Sequence, residues 1–279
     1  MSSSDSEDGN PLSPRPFSTR SPKLEELFKI VAILGSEKLT YTEEDLAALG
    51  ISLSFSKFPC FADEMKFFQP ISAADLARYN APEDRFEEDY EYLLEEYRET
   101  DRLCTCIEST LDYRYRSLRR GKKGRYLEEI YKWTPITIEN SFYRHRGEYF
   151  LRALGSPAGW ELTSLEEWIQ PGGDEIPEPH VRMITINYGV PDNTRLLVSE
   201  LSAIVQVLDQ RVNQPELQEA SLFPVLLISL SGLGNGRIIE ALYDVEQDEL
   251  TLRASEIISL AKNPALDLIL RFMASKPQV

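Results

Sequence analysis

A chain of 279 residues, 42% hydrophobic and 27% charged, is long enough to bury a substantial core as one large domain or two small ones. Its formal net charge of −16 argues against a dominant nucleic-acid or anionic-membrane surface, because phosphate would be repelled. No run approaches the roughly 18 apolar residues of a membrane span, the acidic opening MSSSDSEDGN is unlike a signal peptide, and three cysteines (Cys60, Cys104 and Cys106) are too few for a disulfide framework.

An intracellular location, cytosolic or nuclear, is therefore expected. Residues 1–22 hold seven serines and four prolines with almost no apolar side chains, and read as a disordered tail. Within it, Ser13-Pro14 and Ser21-Pro22 have the form of proline-directed phosphorylation sites. A helix is predicted from Pro22, with Leu24, Leu27, Phe28, Val31 and Leu34 on one face and Gly35 ending it. LTYTEEDLAALG reads as a capped short helix: Thr42 is the cap, Asp45 stands three residues on, and Gly50 follows the last turn.

The most regular pattern covers residues 82–120. Apolar residues at Phe86, Tyr90, Leu93, Tyr97, Cys104, Ile107, Leu111, Tyr115 and Leu118 define one helical face, with acids early and Arg116, Arg119 and Arg120 late, as the helix dipole prefers. The stripe is rich in tyrosine, a residue favoured at interfaces. It serves either the chain's own core or a protein partner, a second copy included. Beyond it, RYLEEIYKW suggests a helix and TPITIENSFY a short strand. EEWIQPGGDEIPEPH reads as a loop, marked by Pro171-Gly172-Gly173.

That loop is the expected boundary between a mainly helical part, residues 23–175, and an α+β part, residues 180–279. Whether the two are separate domains or one compact unit stays open. In the second part RMITINYGVP alternates as a strand, NTRLLVSELSAIVQVLDQRVN is an amphipathic helix, and FPVLLISLSG is an apolar run typical of a strand buried on both faces. GRIIEALYDVEQDELTLRASEI reads as a hairpin, and NPALDLILRFMASK as a closing helix with Asn263 as cap and Pro264 first. The predicted fold class is α+β, with a helical N-terminal part, a long charged helix, and a small mixed C-terminal sheet flanked by helices.

LSGLGNGRIIEAL, at 230–242, resembles a phosphate loop at first sight. A dinucleotide fingerprint, however, needs a glycine at the sixth position and a helix directly after it. Arg237 or Ile239 stands at that position, and the residues that follow read as a strand. Gly234-Asn235-Gly236 has instead the composition of a tight turn. Elsewhere, His145 and His180 lie far apart and Cys104-Thr105-Cys106 diverges on a helix, so no zinc spacing is present. No Gly-x-Ser-x-Gly elbow occurs. The acids Glu240, Asp244, Glu246, Asp248 and Glu249 lack the nearby lysine of a metal-dependent nuclease and are read as turn solubility. The sequence assigns no catalytic, cofactor-binding or metal residue and implies no cofactor.

FPVLLISLSGLGNGRIIEALYDVEQDELTLRASEIISL, followed by LILRFMASKP, resembles the C-terminal region of a large family of uncharacterised filamentous-fungal proteins. Arg237, Ala241, Tyr243, Arg271, Met273 and Pro277 occupy the matching places, and INYGVP at 186–191 also fits. The resemblance covers residues 180–279 and implies a fold pattern and a fungal source, but no activity. Two classes of function follow. One is a non-enzymatic interaction or accessory protein that binds through the 82–120 helix or the sheet. The other is an orphan enzyme or accessory protein of fungal secondary metabolism, whose sign would be a pocket gathering Glu240 or Asp244 with His180, Tyr188 or an arginine.

Overall fold

The structure, a computed structural model, describes residues 20–31, 38–80, 102–121, 123–137, 140–144, 158–169, 177–232, 234–260 and 263–278. The first half of the chain contributes α1 (Pro22–Val31), β1 (Thr40–Tyr41), α2 (Glu43–Ala48), β2 (Ile51–Ser56), α3 (Cys60–Glu64), β3 (Phe68–Gln69), α4 (Ala73–Leu76), β4 (Tyr79–Asn80), α5 (Leu103–Ser117), β5 (Arg119–Arg120), α6 (Leu127–Ile130) and β6 (Trp133–Pro135). The second half contributes β7 (Trp160–Ile169), β8 (Pro177–Asn187), β9 (Leu196–Leu197), α7 (Val198–Val212), β10 (Leu222–Ser231), β11 (Asn235–Asp244), β12 (Glu249–Ser255), β13 (Ile258–Ser259), α8 (Asn263–Met273) and β14 (Lys276–Pro277).

One eight-stranded mixed sheet, in the order β2-β12-β11-β10-β8-β7-β6 with β13 beside β11, organises these elements. Because β10 is central, it is apolar on both sides. Val225 and Leu227 enter a core shared with α1, α2 and α7, while Leu226, Ile228 and Leu230 enter a second core with α3, α4, α5, α6 and α8. Strands β8 and β10 run parallel, joined through α7 as a crossover, and β2 runs parallel to β12. The hairpins β10–β11 and β11–β12 and the helix α7 agree with their sequence patterns. So does the capping box of α2, where Thr42 Oγ1 accepts from Asp45 N at 3.2 Å and Asp45 Oδ2 accepts from Thr42 N at 2.9 Å.

The predicted fold class needs correction. The sheet is large rather than small, and three of its strands, β2, β6 and β7, come from the part expected to be mainly helical. Strand β7 escapes a period-2 reading because register shifts at Leu162/Ser164 and Glu167/Ile169 break its alternation. Its last four residues and the first four of β8 stand where EEWIQPGGDEIPEPH predicts a loop. The expected domain boundary falls in the connection between the antiparallel neighbours β7 and β8, and Pro171-Gly172-Gly173 lies outside the described residues.

Of the 82–120 helix, 82–101 lies outside the described residues, α5 forms Leu103–Ser117, and Arg119 and Arg120, expected as its basic end, pair instead as β5 with β4. Its stripe of Cys104, Ile107, Leu111 and Tyr115 is buried against the chain's own sheet and α8, so this half packs inward rather than onto a partner. The tail boundary at residue 22 is also displaced. Residues 1–19 lie outside the described residues, but Ser21 is 1% exposed and Pro22 opens α1. No described helix is long and apolar enough to cross a membrane.

Candidate functional site

On β8, β10 and β11 the side chains facing α7 change from apolar to polar along the strands. Val181 and Met183 give way to Thr185 and Asn187, Val225 and Leu227 to Ser229 and Ser231, and on the antiparallel β11 Arg237 precedes Ile239 and Ala241. Register aligns Thr185 with Ser229, Ser229 with Arg237, and Asn187 with Ser231. The polar row thus lies at the carboxyl ends of the parallel pair, where open α/β sheets commonly bind ligands.

The first turn of α7 closes over that row. Glu200, at the third helical position, reaches back to accept from Leu197 N at 2.9 Å, from Ser229 Oγ at 2.8 Å and from Arg237 Nη1 at 3.1 Å. Neither side chain of the Glu200–Arg237 pair is solvent-exposed. Asn187 Nδ2 donates to Thr185 Oγ1 and Ser229 Oγ, both at 2.9 Å. Arg237 also donates to the carbonyls of Arg195, at 2.9 Å, and of Asp192, with Phe55 5.5 Å from its guanidinium. Among the described residues, Arg237 Nε, Asn187 Oδ1, Ser199 Oγ and Ser231 Oγ have no hydrogen-bond partner.

In an open α/β site the helix N-terminus is free to meet an anion. Here the Glu200 carboxylate is that anion, supplied from within. What the arrangement does physically is clamp the loop at residues 188–195 to the sheet. The same loop is tied by Tyr188 N to Gly159 O at 3.2 Å, by Thr194 N to Asp192 Oδ1 at 2.6 Å, and by Ile257 N to Asn193 Oδ1 at 2.7 Å. It raises Val190, 82% exposed, and Tyr188, 36% exposed, above the sheet's end.

Two further buried arginines are closed in the same manner. Arg211, on the last turn of α7, donates to Glu167 at 2.7 Å and to Gln214 Oε1 at 2.6 Å. Arg182 pairs with Glu166 and lies against the rings of Tyr115 and Trp133, 4.8 Å and 5.2 Å away.

The glycine-rich segment is a turn. Strands β10 and β11 pair up to Ser231 and Asn235, and Gly232 and Gly234 adopt φ of +57° and +75°. A Cβ on Gly234 would stand 3.2 Å from Leu103 Cδ2 of α5. Gly234→Ala is therefore expected to cost about 1–2 kcal/mol in urea unfolding, from left-handed strain plus this close approach. Calorimetric titrations with ATP, GTP and NAD should be equally flat for parent and variant. Micromolar binding in the parent, abolished by the substitution, would overturn the turn reading.

Of the gathering of Glu240 or Asp244 with His180, Tyr188 or an arginine, what forms is Glu240 beside Arg253, its cross-strand partner on β12. Tyr188 stands eight residues from His180 along β8, roughly 26 Å at strand rise. Glu240 accepts from Lys66 N at 3.1 Å and Phe67 N at 2.9 Å, and burial raises its pKa against those bonds. Asp244 Oδ1 takes the amides of Glu246 and Gln247 at 2.9 and 3.1 Å, capping the β11–β12 turn. Cys104 Sγ donates to Gly232 O at 3.2 Å, and Cys60 is exposed on α3. His145 lies outside the described residues. Among the described residues, no group of three or more His, Cys, Asp or Glu is placed to hold a metal.

His180 lies edge-on to Phe68, with ring centroids 5.5 Å apart, and its Nε2 is 3.2 Å from Gln278 O. Burial pushes its pKa from 6.5 down to about 4, against the pull of the Gln278 carbonyl and with Arg211 adding to the depression. The folded chain thus keeps it neutral where the unfolded chain protonates. The stability it contributes is full above pH 6.5 and is lost as pH falls towards about 4, by about 3 kcal/mol at most. His180→Gln should flatten the stability-versus-pH curve by that amount in this window, measured as the difference from the parent. An unchanged slope would show that His180 titrates normally.

Comparison with protein-family models, with curated proteins and with solved structures gives no match.

Proposed function

We propose that this chain is a non-enzymatic intracellular interaction protein or accessory factor that recognises a protein partner through its 188–195 loop. The observation that carries this reading is the use of Arg237. A fully buried guanidinium, neutralised by Glu200, spends donors on the main chain of Asp192 and Arg195. A loop fixed from beneath in this way offers Val190 and Tyr188 with little ordering entropy left to lose on binding. The complementary partner is a protein surface with an apolar pocket. The acidic balance of the chain keeps nucleic acid outside this reading. The described half of the 82–120 helix has its apolar face committed to the core, so recognition moves from that helix to this loop.

Val190→Asp tests it. The side chain is exposed, so stability should stay within about 0.5 kcal/mol of the parent. Affinity for a protein captured by the parent chain should fall at least about tenfold. Ser109→Asp, on the exposed side of α5, should leave that affinity intact. An unchanged Kd for Val190→Asp would remove the loop from recognition.

A further inference from the structure

The residues that lead into α1 are anchored at several points on the face of the sheet that carries α7. Arg20 N donates to Asn213 Oδ1 at 3.0 Å, and the Arg20 guanidinium donates to the carbonyls of Leu217 at 2.9 Å and Ala220 at 2.6 Å. Ser21 Oγ accepts from Leu24 N at 3.1 Å as the helix cap, touches the Tyr243 hydroxyl, and stands 3.3 Å from Asp248 Oδ1. Tyr243 in turn donates to Asp248, and Leu24, Leu27 and Val31 bury the apolar side of the helix. Pro22, directly after Ser21, begins α1.

We propose that Ser21 is a phosphorylation site for a proline-directed kinase, and that the modification holds α1 off the face it covers. The Ser-Pro dipeptide supplies the recognition chemistry, and Pro22 serves both as first helical residue and as the kinase's required neighbour. At 1% exposure Ser21 is out of a kinase's reach while α1 is docked, so local opening precedes the reaction. In that step Ser21 Oγ bonds to the γ-phosphorus of ATP. The bond to the β–γ bridging oxygen breaks, ADP leaves with its electron pair, and the hydroxyl proton passes to the kinase's base.

Return is then opposed. The phosphate would bring nearly two negative charges against the Asp248 carboxylate, inside a contact now filled by two hydroxyls. Arg20, the adjacent cation, already spends its guanidinium on the carbonyls of Leu217 and Ala220. A phosphate at a helix N-terminus is otherwise favourable, so the penalty lies in the docking contact with Asp248 rather than in the helix terminus itself. Release bares Leu24, Leu27 and Val31 together with the surface of α7 beneath them. None of this depends on the 188–195 loop.

The test incubates the full chain with a purified proline-directed serine/threonine kinase and ATP, following Ser21 and Ser13 by mass spectrometry. Ser13-Pro14 carries the same dipeptide and reports kinase activity in the same tube. Leu27→Ala weakens docking without touching Ser21-Pro22 and should raise the Ser21-to-Ser13 rate ratio about tenfold or more. Phe28→Ala, at the partly buried edge of the same stripe, serves if Leu27→Ala does not fold. In the phosphorylated chain the amides of residues 24–31 should exchange about a hundredfold faster, with β10 and β11 still protected. Asp248→Asn should reduce that acceleration, because the like charge is gone. Failure of Ser21 to react in the weakened variants while Ser13 is saturated would overturn the proposal. So would phosphorylation that leaves α1 as protected as before, or an equal acceleration in unmodified Ser21→Ala.

Discussion

Glu200→Ala is expected to destabilise the chain by about 3–5 kcal/mol, because it strands the Arg237 guanidinium without a counter-charge in the interior. The loss has three physical parts. The largest is the uncompensated charge, since Arg237 has no exposure and cannot turn its head to water. The second is the α7 terminus, where Leu197 N loses its acceptor, a cap worth about 0.5–2 kcal/mol. The third is the Ser229 hydroxyl, which donates to Glu200 and would be left buried. Arg237→Met leaves the buried Glu200 carboxylate without its cation, but that group keeps two donors, Leu197 N and Ser229 Oγ, so the loss should be smaller even though the carbonyls of Asp192 and Arg195 also lose their donor. The double variant Glu200→Leu with Arg237→Met should recover much of the loss, as replacement of whole buried ion pairs by apolar residues often does. Urea unfolding of the parent, Glu200→Leu, Arg237→Met and the double variant closes the cycle, with Glu200→Ala measured beside them. A loss below about 1 kcal/mol for Glu200→Ala would mean that water reaches the pair and that the loop is not clamped as described.

These same residues show what could and could not be read from the sequence. FPVLLISLSG announces a central strand, and its last two serines share the parity of Val225 and Leu227 rather than that of Leu226 and Ile228. Thr185 and Asn187 repeat the pattern on β8, so a polar patch on one face of two strands was legible. That Glu200 would fill it was not, because a glutamate three residues into a helix normally faces solvent. Its partner depends on the crossover that lays α7 over β8 and β10. Arg237, which stands where a dinucleotide fingerprint needs a glycine, has internal chemistry as well. Other positions that carried the family resemblance likewise have structural work in this fold. Tyr243 meets Ser21 and Asp248, Arg271 donates to the carbonyl of Ile71 at 2.9 Å, and Pro277 sits in β14 opposite Phe68.

Strand β6 overlaps the short strand expected at TPITIENSFY, whereas β2 and β7 were lost to reading for separate reasons. Strand β2 alternates Ile51, Leu53 and Phe55 with serines, but six residues make a weak signal beside the strong helix cap before it. In β7 the bulges bring Leu165 and Glu167 to the α7 side, where Glu167 meets Arg211, and no fixed period survives. The stripe over residues 82–120 raised the opposite problem. Helical periodicity marks an apolar face but not what covers it. The described half is covered by the sheet and α8, with Arg114 bonded to Asp267 at 2.6 Å across the two helices.

Leu111→Asp should therefore unfold the chain rather than release a partner. Leu111 is 0% exposed within the core formed by α5, α8 and the sheet. Removing a buried leucine costs about 2–5 kcal/mol by itself, as Leu111→Ala should show. The aspartate adds a buried carboxylate, and its desolvation raises the penalty by several kcal/mol more. A domain of ordinary stability has only about 5–15 kcal/mol to lose, so the variant should lose its cooperative thermal transition. Ser109→Asp separates burial from helix propensity, because it puts the same residue type on the exposed side of the same helix. That control should stay within about 0.5 kcal/mol of the parent. Circular dichroism and light scattering on one sample distinguish the outcomes. If Leu111→Asp keeps the parent's melting transition and only its association changes, the stripe faces a partner and the inward packing of α5 is wrong.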